Sequence, residues 1–348
     1  MTEQIRVLVV DDSAFMRSMI GKMLNEVPGI QVVDVAVDGQ DAVEKVRNVR
    51  PDVVTLDVEM PKMNGIQALE YIMKNCPTPV IMLSSLTQQG AVTTIEALEK
   101  GAVDFVGKPS GTVSIDIHRV RDELVNKILR ASKLTGTRLA ALSAPRPQTP
   151  PLQMPPLRPI ETGRHHVVAI GTSTGGPKAL NDVLPRLPRN LPAPVLVVQH
   201  MPPGFTRALA QRLNDLSQIA VREAAAGDQL EPGVALVAPG DFHMTVSSGR
   251  IALNQDPPVH NVRPAVDVLL SSLAKTYGRE TVGVVLTGMG TDGAEGALAI
   301  KRMGGRVIAQ DEATSVVYGM PRSVVDAGAA DVVAPLGRVA DEIVKALS

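Results

Sequence analysis

Tryptophan is absent from the 348 residues, and aromatic residues make up only 2%. That excludes the stacking platforms on which single-stranded nucleic acids are held. The one cysteine, Cys76, can form neither an internal disulfide nor a thiolate zinc site, which suits a reducing cytosol. The net charge of −1 provides no global pull toward nucleic acid or an anionic membrane. No apolar run approaches the roughly 20 residues of a membrane helix. The opening MTEQIRVLVVDD has no basic region followed by a long apolar stretch, so no signal peptide is expected. What remains is an ordinary globular composition, 44% hydrophobic and 20% charged. The length suits two domains better than one core.

Composition changes sharply after Leu142. The stretch SAPRPQTPPLQMPPLRP (143–159) is rich in proline and poor in side chains to bury, so an extended linker of polyproline character is expected. The expected division is a first domain over 1–125, a helix end and linker over 126–160, and a second domain over 161–348. In the first half, apolar runs stand at IRVLVV (5–10), QVVDVA (31–36), DVVTLD (52–57), PVIMLS (79–84) and VDFVGK (103–108). Helix-period segments such as NGIQALEYIMKN (64–75) lie between them, and the last helix is expected from Ile117 to about Leu134. Continuous apolar strands separated by helices imply a parallel sheet covered on both faces, an α/β doubly wound fold. The second half alternates in the same way, through HHVVAIG, VLVVQH (195–200), TVGVVLTG and RVIAQD. Its middle pieces GVALVAP (233–239), FHMTV (242–246) and RIALN (250–254) carry no helices between them and predict an antiparallel excursion.

In parallel sheets function sits at the carboxyl ends of strands. Strand one of the first half ends at Asp11 and Asp12, strand three at Asp57, strand four at Ser84 and strand five at Lys108. Three carboxylates on one edge repel one another unless a cation neutralises them. Hard oxygen ligands with open positions suit Mg²⁺, and a lysine with a hydroxyl can grip a phosphoryl group. One such acid reads as a helix cap, and Asp12–Ser13 before Ala14 fits that reading. Five polar groups at matching strand ends do not. The residues VVDD (9–12), LDVEMP (56–61), MNG (63–65), LSS (83–85) and KP (108–109) resemble the receiver domain of two-component response regulators. The resemblance implies that Asp57 takes a phosphoryl group from a histidine kinase. It further implies that Asp11, Asp12, Asp57 and the backbone carbonyl of Glu59 hold Mg²⁺, and that Ser84 and Lys108 contact the phosphate. Phe105 stands where such domains carry an aromatic switch, and would look the same as a core residue.

The second half opens on an apolar run that meets GTSTGG (171–176). GTSTG fits G-x-S-x-G, which places a serine on a tight strand-to-helix turn. The same backbone could cradle a phosphate, but G-x-G-x-x-G is absent, and Lys178 follows Pro177 rather than glycine. A serine nucleophile needs a base and an orienting acid. His165 and His166 precede the strand, His118 lies in the first half, and His243 and His260 fall in the hairpin region. His200 ends the next strand, about 5 Å from the serine's own. LTGMGTDGA (286–294) carries Asp292 in a glycine loop whose backbone amides suit an oxyanion site. Asp241, Asp267 and Asp311 are rival acids. The order serine, histidine, acid differs from the serine, acid, histidine of the α/β-hydrolases.

The stretches AIGTSTGGP (169–177), QHMPPGFT (199–206), APGDFHM (238–244), LTGMGTDGA and GMPRS (319–323) resemble the catalytic domain of the chemotaxis protein-glutamate methylesterases, the CheB family. Ala265 stands where a serine is expected. The resemblance implies a flavodoxin-like receiver followed by a Rossmann-like methylesterase domain with an antiparallel hairpin. It implies Ser173 as nucleophile, His200 as base and Asp292 as its orienting acid, with Thr174 and the Met289 region stabilising the oxyanion. The reaction expected is hydrolysis of receptor glutamate methyl esters, with deamidation of receptor glutamines, and no cofactor for that chemistry. The expected partners are receptor cytoplasmic domains and a histidine kinase, without nucleic acid or membrane insertion, in the cytoplasm. The unphosphorylated receiver is expected to cover the site around Ser173. Two rivals stay open: a DNA-binding output, which requires a helix-turn-helix and a basic face, and a non-catalytic nucleotide-binding module.

Overall fold

The computed structural model of the chain describes residues 4–108, 114–134, 139 and 166–348. The linker expected at 143–159 lies outside them. The chain forms two compact units, Met1–Arg146 and Pro147–Ser348.

In the first unit, β1 (Ile5–Val10), β2 (Ile30–Ala36), β3 (Val53–Asp57), β4 (Val80–Ser84) and β5 (Asp104–Gly107) form one sheet in the order β2-β1-β3-β4-β5. Every pairing is parallel. All five residues of β3 and all five of β4 are buried, which explains their unbroken apolar runs: both faces are covered. The helices are α1 (Ala14–Asn25), α2 (Gly39–Val49), α3 (Gly65–Asn75), α4 (Gln88–Glu99) and α5 (Ser114–Ala131). Asn64 caps α3 through a capping box, its side chain taking the Gln67 amide while the Gln67 side chain takes its own. Ser13, not the exposed Asp12, caps α1. Helix α5 begins at Ser114 rather than Ile117 and closes at Ala131.

The second unit has strands β6 (Val167–Thr172), β7 (Val195–Gln199), β8 (Ala220–Glu223), β9 (Val234–Val237), β12 (Thr281–Val285), β13 (Arg306–Gln310) and β14 (Val332–Ala334) in the order β14-β13-β12-β6-β7-β9-β8. Helices α6 (Gly176–Val183), α7 (Phe205–Leu216), α8 (Val266–Tyr277), α9 (Ala294–Arg302), α10 (Met320–Asp326) and α11 (Leu336–Ala346) cover it. A separate antiparallel hairpin joins β10 (His243–Ser247) to β11 (Arg250–Asn254). The antiparallel excursion is therefore smaller than the pattern suggests. GVALVAP supplies β9, which pairs in parallel with both β7 and β8. No helix separates β9 from β10 and β11, so the sequence pattern alone cannot tell this parallel strand from the hairpin that follows it. Strand β6 is buried throughout, as are β7 and β12 on either side of it. The chain leaves β6 toward β7 on one side and returns to its other side at β12, so the switch in strand order lies at the end of β6. Among the described residues no helix is long and apolar enough to cross a membrane.

Candidate active site and phosphorylation site

At the carboxyl end of the first sheet, Asp11 and Asp57 are buried and Asp12 is exposed. Lys108 Nζ lies 2.8 Å from Asp11 Oδ2 and 2.8 Å from Asp57 Oδ1. Burial pushes the Asp57 carboxyl up to about 6, against the pull of Lys108 and with help from the charges of Asp11 and Asp12. Burial works against the Lys108 ammonium, yet Asp11 and Asp57 hold its proton above the ordinary range. Carboxylate oxygens of Asp11, Asp12 and Asp57 lie within 4.8 Å of one another. Three anionic oxygen donors facing one ammonium fit a hard divalent cation. Glu59 lies exposed on the loop after β3. The Ser84 hydroxyl engages α4: it donates toward Gly90 O at 3.2 Å and accepts from Thr94 Oγ1 at 2.7 Å. Phe105 is buried, with Lys127 Nζ 5.3 Å from its ring centre.

In the second unit, β6 and β7 run in register to Thr172 and Gln199, which puts Ser173 and His200 side by side just beyond. The two strand ends are tied, since His200 N donates to Thr172 O at 3.1 Å. The Ser173 turn is held on both flanks. Its N–H donates to Thr287 O at 3.1 Å, and its carbonyl accepts from Gly176 N at 2.8 Å and Gln199 Nε2 at 3.0 Å. Gly175 takes φ +78°, the left-handed region that lets the chain turn into α6. Gly288 packs onto the serine itself: a Cβ there would stand 2.9 Å from Ser173 Cβ and 2.2 Å from Met320 Sδ. Thr287 Oγ1 donates to Thr174 O at 2.9 Å. Thr174 is buried, while Ser173, His200 and Met289 are partly exposed.

His200 Nε2 lies 2.8 Å from Asp292 Oδ2. Asp292 is 1% exposed, and its carboxylate also accepts from the amides of Val266 at 2.7 Å and Asp267 at 2.8 Å. Those amides open α8, whose N-terminal partial charge favours the anion. Burial pushes the Asp292 carboxyl up, but the hydrogen bonds from His200, Asp267 and Val266 outweigh it and leave it below the usual carboxylate range. This also accounts for Ala265. At the N-cap of α8 its side chain makes no capping bond, because Asp292 reaches across from the β12–α9 loop to cap the helix instead.

The rival acids have other partners. Asp241 pairs with Arg263 at 2.6 Å, Asp267 with His260 at 2.9 Å, and Asp311 takes the amide and hydroxyl of Thr314 at 3.0 and 2.6 Å. His243 is buried and accepts the Ala265 amide at 3.2 Å, and His166 lies 3.2 Å from Glu280. His165 lies outside the described residues. Sequence reasoning overlooked Gln199, Thr287 and Gly288. A buried glutamine closing the apolar run VLVVQ was a readable signal, since a polar side chain there must find partners.

The methylesterase family model, described as CheB methylesterase, matches residues 168–343, and the response regulator receiver domain model matches residues 7–118. The protein-glutamate methylesterase/protein-glutamine glutaminase of Symbiobacterium thermophilum is 53% identical, over 99% of this chain and 97% of that protein. The protein of the same description from Thermotoga maritima is 47% identical, over 98% of each chain. The crystal structure of the Thermotoga maritima CheB methylesterase catalytic domain matches with a TM-score of 0.51 at 46% identity, covering 52% of this chain and 98% of that one. The chain belongs to the CheB methylesterase family, with a response regulator receiver domain ahead of its methylesterase domain.

Proposed function

We propose that this chain hydrolyses glutamate methyl esters, and deamidates glutamines, on chemotaxis-type receptors, through an acyl-enzyme on Ser173 and under control of phosphorylation at Asp57. The observation that carries the hydrolytic reading is the His200–Asp292 pair at 2.8 Å, set at the end of β7 beside Ser173 at the switch point. Asp292 accepts a hydrogen bond from His200 Nε2–H and so fixes that tautomer, which leaves Nδ1 as the acceptor for the Ser173 hydroxyl proton. The serine oxygen then attacks the ester carbonyl. The charge on the tetrahedral oxygen falls to the Met289 amide, which makes no hydrogen bond among the described residues, and to the Thr174 hydroxyl. The Ser173 amide is engaged with Thr287 O and does not serve there. His200 returns its proton to the departing methanol. Water, deprotonated by the same nitrogen, cleaves the acyl-enzyme to release glutamate and regenerate the serine. Glutamine follows the same course with ammonia leaving.

Asp11, Asp12, Asp57 and the Glu59 carbonyl would hold Mg²⁺, with Ser84 and Lys108 on the phosphoryl oxygens. Held there, the cation would supply charge to offset the phosphoryl oxygens, while Asp57 is the residue that would accept the phosphoryl group from a histidine kinase. We read 1–125 as the receiver, 126–160 as helix end and linker and 161–348 as the hydrolase, working in the cytoplasm without nucleic acid or membrane insertion. In its unphosphorylated form the receiver restrains the hydrolase. The test is methanol release from membranes carrying radiolabelled methylated receptor, with and without a small phosphodonor and Mg²⁺. Release that rises with the phosphodonor is expected, and no release under either condition sinks the assignment. A fragment from about Glu161 onward is expected to outpace the unphosphorylated full chain, and equal rates would refute the restraint.

A further inference from the structure

We propose that Gln199 is a positioning residue that fixes the spacing of nucleophile and base. The proposal rests on the assignment of Ser173 and His200 above. Gln199 is 2% exposed. Its carboxamide nitrogen donates to Ser173 O at 3.0 Å and to His200 O at 3.2 Å. Its carboxamide oxygen accepts the Thr172 hydroxyl. The orientation is unambiguous, because only an NH₂ group can satisfy two carbonyls at once.

One side chain therefore bridges the backbones of the two reacting residues, while its other end is anchored on the strand that delivers the serine. Neighbouring strands alone do not give this. The ladder tie is a single bond from His200 N to Thr172 O, and beyond it the two chains diverge, one into the turn at Gly175–Gly176 and the other into the Pro202–Pro203 segment. The local sequence keeps room for the bridge. A Cβ on Gly176 would stand 1.8 Å from Thr172 Oγ1 and 2.0 Å from Gln199 Oε1. The space a side chain would take at Gly176 is occupied by the carboxamide.

Without the bridge, Ser173 and His200 keep their chemistry and lose their fixed offset. A misplacement of about 1 Å in a reacting pair costs roughly 10²-fold in rate. Substrate docking does not involve the buried amide, so the loss falls on kcat and not on KM.

The test compares the full chain with Gln199→Met, which has similar volume and no donor, and with Thr172→Val, which removes only the anchor. Each is assayed for kcat and KM on methylated receptor, for labelling of Ser173 by a fluorophosphonate, and for its thermal unfolding. Gln199→Met is expected to lose roughly 10²-fold in kcat and a similar factor in labelling rate, with KM unchanged. Thr172→Val is expected to lose less, in the same two readouts. If Gln199→Met does not fold, Thr172→Val decides the matter by the same split. Lower unfolding temperature with unchanged kcat and labelling rate would falsify the positioning role and leave a merely structural one. Ser173→Ala run alongside separates the two readings. Turnover by Ser173→Ala would overturn the nucleophile assignment itself, whereas a silent Ser173→Ala with a fully active, folded Gln199→Met would overturn only this inference.

Discussion

The two units set their polar groups at the same place, the carboxyl ends of central parallel strands, but in opposite states of completion. In the first, the charges of Asp11, Asp12 and Asp57 face one another with Lys108 alone between them among the described residues, and burial lifts Asp57 to about 6. In the second, each oxygen of Asp292 already has its donor, from His200, Val266 and Asp267. An unfinished site is sensitive to what arrives, a cation and a phosphoryl group, which suits a switch. A finished site has spent its reorganisation in folding, which suits catalysis. The same architecture can serve either purpose. What differs is whether the chain supplies all the partners.

The largest expected effect tests completeness in the second unit. Ser173→Ala and Asp292→Asn should each lower turnover by roughly 10⁴-fold or more, measured as methanol release. Asp292→Asn should also show the finished state in stability. The folded protein holds Asp292 below the usual carboxylate range, so this group stabilises fully above about pH 4 and the contribution is lost as pH falls through the folded value. Between about pH 5 and pH 3 the parent should therefore lose more stability than Asp292→Asn, in chemical denaturation of the two proteins. Equal slopes would mean that His200 and the helix amides together do not favour the anion.

Gly288→Ala comes next. A methyl there meets Ser173 Cβ and Met320 Sδ, so the loop or the serine must move. A fall in kcat of about 10²-fold is expected, with the protein still folded by circular dichroism. An unchanged kcat would show that the serine turn tolerates displacement and is less preorganised than argued. For the first unit, Asp57→Asn should abolish the rise in methanol release on adding phosphodonor. A surviving rise would place the acceptor elsewhere.

Much of both candidate sites was legible because strands buried on both faces read as apolar runs, and the polar residues at their carboxyl ends mark a candidate edge. That rule pointed to Asp11, Asp57, Ser173 and His200, although Thr172 and Gln199 come first after their own runs. It could say less about Asp292, since a glycine loop before a helix looks the same whether its acid caps its own helix or another's. Here the capped amides belong to Val266 and Asp267, on α8. Nor could it put β9 in the parallel sheet, since no helix separates it from the hairpin that follows, or find β8, whose short AVRE run alternates exposed and buried residues. Gln199 was visible as a residue but not as a bridge, because a strand pattern does not say which backbone carbonyls a buried side chain reaches past the strand end.

The smallest expected effect concerns the Ser84 hydroxyl, which is expected on the phosphoryl group yet is directed into α4. Thr94 is fully buried, and its one hydroxyl proton is shared between Ser84 Oγ and Gly90 O, each 2.7 Å away. Ser84 can reach a phosphoryl oxygen only by giving up its own bond to Gly90 O and its acceptance from Thr94. Thr94→Val keeps the volume and removes one of these restraints. Losing a buried hydrogen bond costs about 1 kcal/mol of stability, so a small fall in the unfolding free energy of the first unit is expected. The same bond no longer opposes rotation of Ser84, so phosphorylation by a small phosphodonor should speed up by about fivefold, the kinetic equivalent of about 1 kcal/mol. Slower phosphorylation in a folded Thr94→Val protein would mean that Thr94 presents Ser84 to the phosphate rather than withholding it, and the first unit would then be closer to the finished state of the second.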